Sequence, residues 1–380
     1  MQLIHYKHFN SYFHLIFSLL FCMMFTITAA SQKNYVFVGT YTDEGSEGIY
    51  VYDFDQSLEK LNLLFHTTGI INPSFFTISE DKKHLYAIQE TANGQIHCFT
   101  IDTSSQTLTL LNSVPIPGNG PCYVALDKTG KWCMIANYGS GSICTVSILP
   151  DGSLGPIVQN ILHENILPYA KRDGKPHAHA INIAPNNKDV FVSDLGVDKI
   201  IHYILDDKNG WLTQAKIPFV QTGEGSGPRH FTFHPNYKYA YSINELNSTI
   251  DVFHYHKKNL SHIQRISTLP KEFSGINYCA DIHISPDGLF LYGSNRGHNS
   301  LAIYAIDGKT GKLQFLGTES VRGNFPRNFA ITPSGEYVLV ANQKSNNIQL
   351  FKRNINTGLL TYLDKEIKIS KPVCIKFLKG

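Results

Sequence analysis

The chain has 380 residues, of which 42% are hydrophobic, 12% aromatic and only 17% charged, with a formal net charge of +3. That balance excludes an intrinsically disordered chain and supplies apolar surface for a large core. The charges are spread along the sequence without a dense Lys/Arg block, so neither nucleic acid nor an acidic membrane surface is an expected partner.

The N-terminus differs in kind from the rest. Lys7 precedes an apolar run from Tyr12 to Met24, and Thr28-Ala29-Ala30 offers the small residues at which a signal peptidase cuts. Residues 1–30 therefore read as a secretory signal. The run is shorter than the about 20 residues a bilayer span requires, so no membrane span is expected after cleavage. Cys22 follows the bulky Phe21, which disfavours lipoprotein processing. The expected location is periplasmic or extracellular, and cytoplasmic only if the segment is no true signal. Residues 31–380 are expected to form one domain.

Tyr35-Val36-Phe37-Val38-Gly39-Thr40 is the first strand-like stretch, and nothing that could pair with it precedes it. From Pro73 a hairpin pattern begins, PSFFTISEDKKHLYAIQE, and it returns without gaps as PCYVALDKTGKWCMIANY, AHAINIAPNNKDVFVSDL, PRHFTFHPNYKYAYSINE, CADIHISPDGLFLYGSNR and PRNFAITPSGEYVLVANQ. Each copy is an apolar strand, a turn of the Pro-Asp-Gly type and a second strand ending in polar residues. The starts at 73, 121, 178, 228, 279 and 326 are 48, 57, 50, 51 and 47 residues apart. A third alternating stretch follows each hairpin, such as Ile250 to Tyr255, and then a weaker fourth, such as Ser261 to Ile266. Four strands per unit at this spacing predict an all-β, seven-bladed β-propeller of four-stranded antiparallel blades. Pro372 to Phe377 matches a first strand and stops there. Pairing it with Tyr35–Thr40 would close the ring and protect the open edges. No segment keeps a helical apolar period over a dozen residues.

An antiparallel hairpin brings the start of its first strand beside the end of its second. Residues one position after each start are Ser74, Cys122, His179, Arg229, Ala280 and Arg327, with Val373 in the closing strand. Residues seventeen after each start are Glu90, Tyr138, Leu195, Glu245, Arg296 and Gln343. In a propeller these positions converge on one end of the axial channel. Three arginines, a histidine and two glutamates then share a funnel, and cations in excess of carboxylates imply a small anionic ligand.

The other candidates are weaker. His177 and His179 could form a metal pair, but no third ligand stands at a matching spacing, so neither metal nor cofactor is expected. Asp281 and His283, on one strand of another blade, are candidates to join the pocket, as is His177. Tyr41 and Asp43 could touch the ligand, while His230, His234 and His254 read as ordinary polar positions. Cys98, Cys122, Cys133, Cys144, Cys279 and Cys374 all fall inside β patterns without CxxC spacing and are expected as buried thiols, not a disulfide framework.

The segments VGTYT, PHAH, GPRHFTFHP, YSINELNSTIDVF and ADIHISPDGLFLYGSNRG resemble the lactonase family of seven-bladed propellers, over residues 34–378. That family includes bacterial 6-phosphogluconolactonase and fungal carboxymuconate-lactonizing enzyme. The resemblance implies active-site groups at Arg229, Glu245, Arg296 and His179, the residues that the repeat columns also single out. It implies hydrolysis of an acidic sugar lactone in carbohydrate metabolism, with a small anionic sugar lactone as partner. One departure is that 6-phosphogluconolactonase serves a cytoplasmic pathway, whereas this chain starts like an exported protein. On this reading Arg229 and Arg296, with Arg327, hold the anion and the oxyanion. His179 is the expected base, because Glu245 beside Arg229 is a weak one. Glu90, Arg327, His177, Asp281 and His283 are the expected substrate contacts. Two alternatives stay open: an exported propeller that only binds a sugar acid, glycan or protein, and a muconate cycloisomerase.

Overall fold

A computed structural model describes residues 33–163 and 174–378. The expected signal segment, residues 1–30, lies outside the described residues. Within them the chain forms strands β1 to β28, arranged as seven four-stranded antiparallel sheets. Among the described residues no helix is long and apolar enough to cross a membrane.

The ring closes as the split repeat predicts. β28 (Pro372–Phe377) pairs antiparallel with β1 (Tyr35–Thr40), and β2 (Ile49–Asp55) and β3 (Lys60–Thr67) complete that blade. The other six blades start from β4 (Phe76–Ile78), β8 (Pro121–Leu126), β12 (Ala178–Ile183), β16 (Pro228–Phe233), β20 (Tyr278–Ile284) and β24 (Pro326–Ile331). These first strands lie beside one another around the axis.

Burial explains the strength of each strand's sequence signal. The second strands, for example β9 (Trp132–Asn137), β17 (Tyr239–Asn244) and β25 (Tyr337–Asn342), are buried at every residue. They are covered on both faces by neighbouring blades and so read as nearly continuous apolar runs. The fourth strands, such as β7 (Thr107–Pro115), lie at the rim with many exposed residues, which is why their pattern is faint. Apolar clusters fill the seams between blades, for instance Val36 and Val38 with Leu339, Leu350 and Ile375 across the closing seam.

A repeated clasp adds direction to those seams. The hydroxyls of Tyr86, Tyr241 and Tyr292 donate to the carbonyls of Gly152, Gly311 and Gly358 in the next blade, at 2.7, 2.9 and 2.7 Å. Each buried phenol thus meets its need for a partner without water. The six cysteines of the propeller are unpaired and buried.

The first strands share one irregularity. In β8, β12, β16 and β24 the pairing skips a residue, so that Cys122, His179, Arg229 and Arg327 stand opposite no partner. In β20 the skip covers Ala280 and Asp281, and in β28 it falls on Val373. These are β-bulges, which kink a strand and re-aim its side chains. Their positions coincide with the column one residue after each repeat start.

Candidate active site

The bulged residues meet the ends of the second strands at one mouth of the channel. Cys122, His179 and Arg327 from the first strands, Glu90, Tyr138, Glu245 and Arg296 from the second-strand ends, and Tyr41 after β1 line a cavity of about 250 Å³. A cavity of this size suits one small ring-shaped molecule. Arg229 lies directly behind the lining and is buried.

The three guanidiniums differ in how firmly they are held. Arg229 Nε and Arg296 Nη2 both approach Glu245 Oε2, at 3.0 and 2.7 Å. The Arg229 Nε–H is not aligned with that oxygen as a hydrogen bond, so the contact is purely electrostatic. Arg229 Nη1 donates to the carbonyl of Ala280 at 2.6 Å, and Arg296 donates to the carbonyls of Tyr278 and Cys279 at 3.2 and 2.9 Å. Burial raises the Glu245 carboxyl, but Arg296 and Arg229 outweigh it and hold it below the usual carboxylate range. Burial, with Arg296 and Arg327 nearby, lowers Arg229 to about 10, so it stays cationic at neutral pH. Glu245 is therefore a charged brace for two arginines.

Arg327 stands apart from that brace. Its nearest carboxylate oxygen, Glu90 Oε1, is 3.9 Å away, and its guanidinium lies 5.4 Å from the centre of the Tyr41 ring. Glu90 is engaged at its other oxygen by the Tyr41 hydroxyl at 2.9 Å. Arg327 thus faces the cavity with donors that no protein oxygen satisfies at hydrogen-bond distance among the described residues.

His179 is buried and neutral. Burial, together with Arg229, His230 and Arg327, drives its pKa well below the ordinary imidazole value. Its Nδ1 lies 3.8 Å from Cys122 Sγ. The Cys122 thiol is itself raised by burial, so it remains protonated and is no nucleophile.

The support beneath Arg229 was not foreseen. Its Nη1 lies 3.1 Å from His230 Nε2, and His230 Nδ1 lies 2.7 Å from Asp281 Oδ1. His230 Nδ1–H donates to the Asp281 carboxylate, which leaves Nε2 as an acceptor for Arg229. Burial and then Arg229 lower His230 to about 4, which keeps that ring neutral. Asp281 also accepts from His283 Nε2 at 2.8 Å, Asn328 Nδ2 at 2.5 Å and the backbone N–H groups of Ile282 and Phe329 at 3.0 and 3.3 Å.

The sequence-predicted residues therefore divide. His179, Glu245, Arg296, Arg327 and Glu90 line the cavity, and Arg229 backs it. Asp281 and His283 do not line it. They lie one and three residues beyond the bulge column, deeper in the channel, because each strand residue advances about 3.3 Å. His177 does not line it either; it precedes β12, stacks on Tyr138 at 4.5 Å and places Nδ1 2.9 Å from the Tyr138 carbonyl. Asp43 pairs with Lys371 at 2.7 Å. Cys122 and Tyr138 occupy the right columns but carry no distinguishing pattern in the sequence. Phe325 falls outside the columns altogether, yet its ring lies 5.0 Å from the Arg296 guanidinium. Among the described residues no group of three or more His, Cys, Asp or Glu side chains is placed to hold a metal ion.

A closed seven-bladed ring with clustered arginines, carboxylates and a neutral histidine at one axial mouth defines a class of propeller, and similarity gives it a family. The family described as "Lactonase, 7-bladed beta-propeller" matches residues 35–377. The chain is 35% identical over 346 residues to the 6-phosphogluconolactonase of Bacillus subtilis, covering 90% of this chain and 97% of that one. It is 36% identical over 342 residues to the 6-phosphogluconolactonase of Formosa agariphila, covering 88% and 97%. The structure of the periplasmic gluconolactonase of Pseudomonas aeruginosa superposes with a TM-score of 0.85 at 32% identity, covering 92% of this chain and 99% of that one. The chain belongs to the lactonase family of seven-bladed β-propellers, and its activity is the hydrolysis of a lactone.

Proposed function

We propose that the protein is exported and opens the lactone of a sugar acid, with His179 as the base and Arg327 as the anchor for the substrate's negative or most electron-rich group. The observation that carries this reading is the inequality of the three arginines. Arg229 and Arg296 are braced on Glu245 and on backbone carbonyls, whereas Arg327 has no hydrogen-bonded acceptor among the described residues and faces the cavity. A guanidinium so placed supplies a planar fork for a phosphate, a carboxylate or a pair of hydroxyls. Export is supported by the signal-like N-terminal segment and by the likeness to a periplasmic gluconolactonase.

The chemistry follows from the charges. Water attacks the lactone carbonyl and gives its proton to the His179 ring; burial and the nearby arginines keep that ring unprotonated at neutral pH and, by the same effect, make it a weaker base than a free imidazole. Negative charge gathers on the carbonyl oxygen of the tetrahedral intermediate, where Arg229 and Arg296 stabilise it. Collapse breaks the bond to the ring oxygen, which takes the proton back from His179 and leaves as a hydroxyl. The product is the open hydroxy acid, and its ionisation releases one proton. Glu245 holds the two arginines at a fixed angle throughout.

Proton release makes the test direct. A pH-stat assay with gluconolactone and with its 6-phosphate, corrected for spontaneous opening, should show enzymatic acceleration of at least one of them. His179→Ala and Glu245→Gln should each slow turnover tenfold or more, about 1.4 kcal/mol or more of barrier, in protein that remains folded by circular dichroism. Spontaneous rates for both lactones would defeat the sugar-lactone reading. Unchanged turnover in both variants would defeat the assignment of the site.

A further inference from the structure

The first strands line the axis over their whole length, so the channel has a second mouth, on the side of the Pro-Asp-Gly turns. A layer of large side chains closes the passage between the two. The Phe75 and Tyr123 rings stack at 4.2 Å, both meet the edge of His230 at 5.9 and 5.3 Å, and His230 is tied to Asp281. Below this layer, two residues further along the first strands, stand Thr77, Asn182 and Lys376. They border a separate cavity of about 670 Å³ that shares no lining residue with the upper one.

Two donors of this lower cavity, Lys376 and Asn182, lack acceptors among the described residues, whereas the Lys128 ammonium donates to the carbonyl of Pro185. Lys376 Nζ lies 4.7 Å from the centre of the Phe75 ring, and among the described residues no carboxylate oxygen comes within 4.0 Å of it. Asn182 accepts from the Tyr123 hydroxyl at 3.3 Å through Oδ1, while its buried Nδ2 has no acceptor among the described residues. The two acids of the lining do not answer them. Glu80 sits exposed on a turn. Asp127 is buried, with its oxygens taken by Thr129, Asn187 and the backbone N–H groups of Lys131 and Trp132. A buried donor without an acceptor is uncommon in a native fold and calls for a partner.

We propose that the lower cavity is a second ligand site, for a small molecule bearing a carboxylate or phosphate. Its oxyanion sits against Lys376 and Asn182 Nδ2, and its uncharged part lies on the stacked Phe75 and Tyr123 rings. Convergent polar groups on an aromatic floor are the usual make-up of a small-molecule site. None of the residues lining the upper mouth takes part, so the second site is independent of which lactone binds there.

The test is calorimetric titration of the full-length protein with inorganic phosphate and, separately, with gluconate. At least one of the two should bind in a component that persists in Arg327→Gln, weakens tenfold or more in Lys376→Gln and stays within about threefold of its original strength in Lys376→Arg. Near-UV circular dichroism establishes that each variant is folded. A response to phosphate alone identifies a phosphoryl ligand, and a response to gluconate alone identifies a carboxylate. If neither anion binds apart from the upper mouth, or if Lys376→Gln binds as the unaltered protein does, the second site does not exist.

Discussion

The two ends of the channel are built from the same seven strands and carry opposite electrostatic designs. At the upper mouth three guanidiniums crowd against two carboxylates around about 250 Å³. At the lower, three lysines and two acids border about 670 Å³, and among the described residues no carboxylate oxygen lies within 4.0 Å of those ammoniums. The difference begins in the backbone. Each bulge sends two successive residues towards the axis, such as Arg229 and His230, or Arg327 and Asn328. Beyond the bulge ordinary alternation resumes, and only every second residue faces inwards. Doubling the side chains at one end of a strand concentrates charge there without altering the blades.

The layer between the mouths offers the strongest way to break that comparison, because both ends rest on it. Asp281→Ala removes the acceptor shared by His230, His283 and Asn328 and unties His230 from Arg229. Loss of one member of a buried charged network costs about 3–5 kcal/mol, and urea denaturation at pH 7 should show a loss of that size. A loss under about 1 kcal/mol would mean that the layer does not hold the channel together.

Acid should act on the same layer with slightly smaller effect. His230 titrates at about 4 in the folded protein, below the about 6.5 of an exposed imidazole. The unfolded chain therefore takes up the proton first as pH falls. Stability from this group is complete above about 6.5 and declines by about 1.4 kcal/mol per unit down to about 4, roughly 3 kcal/mol in all. The groups facing the ring, Arg229, His179 and Asp281, include both signs, so the measurement is comparative. Denaturation curves between pH 7 and 4.5 should be flatter for His230→Gln. Parallel curves would remove His230 from the account.

The smallest effect sharpens the upper mouth alone. Phe325 holds φ at 66° at the position preceding a repeat start, where other blades use Gly120 and Gly227 at 62° and 60°. A bulky residue in this left-handed region costs about 1–2 kcal/mol, and here the ring lies against Arg296 and, at 4.2 Å, Lys344. Phe325→Gly should raise thermal stability while lowering lactone turnover a few-fold. A variant that gains stability and keeps full turnover would show that the ring does not steady Arg296.

Much of this was legible in the sequence, for a physical reason. The bulge falls at the same offset in the first strands of six of the seven blades, so residues gathered by counting from the starts are gathered in space as well. Ring closure was equally legible, since a first strand without a successor and a second strand without a predecessor need each other. Depth was not. Counting finds the face of a strand, but the step of about 3.3 Å per residue carries Asp281 and His283 beneath the cavity they were expected to line. Nor does a pattern reveal which arginine is left unbraced, because that depends on where Glu245 Oε2 settles between Arg229 and Arg296. Phe325 was invisible for another reason: it precedes the repeat start, outside the counted columns, and only the strained backbone there brings its ring against Arg296.

The seam between β28 and β1 sets a timetable for the molecule. Val36 pairs early with Tyr52, but its inner-edge partner is Phe377, so a nascent chain can complete six blades and still be an arc with a raw edge at each tip. Closing so long a loop is slow, because its entropy must be overcome before the final ladder forms. A rearranged chain whose ends fall within a single blade's outer loop would carry an intact inner hairpin there, and it should reach the closed ring sooner.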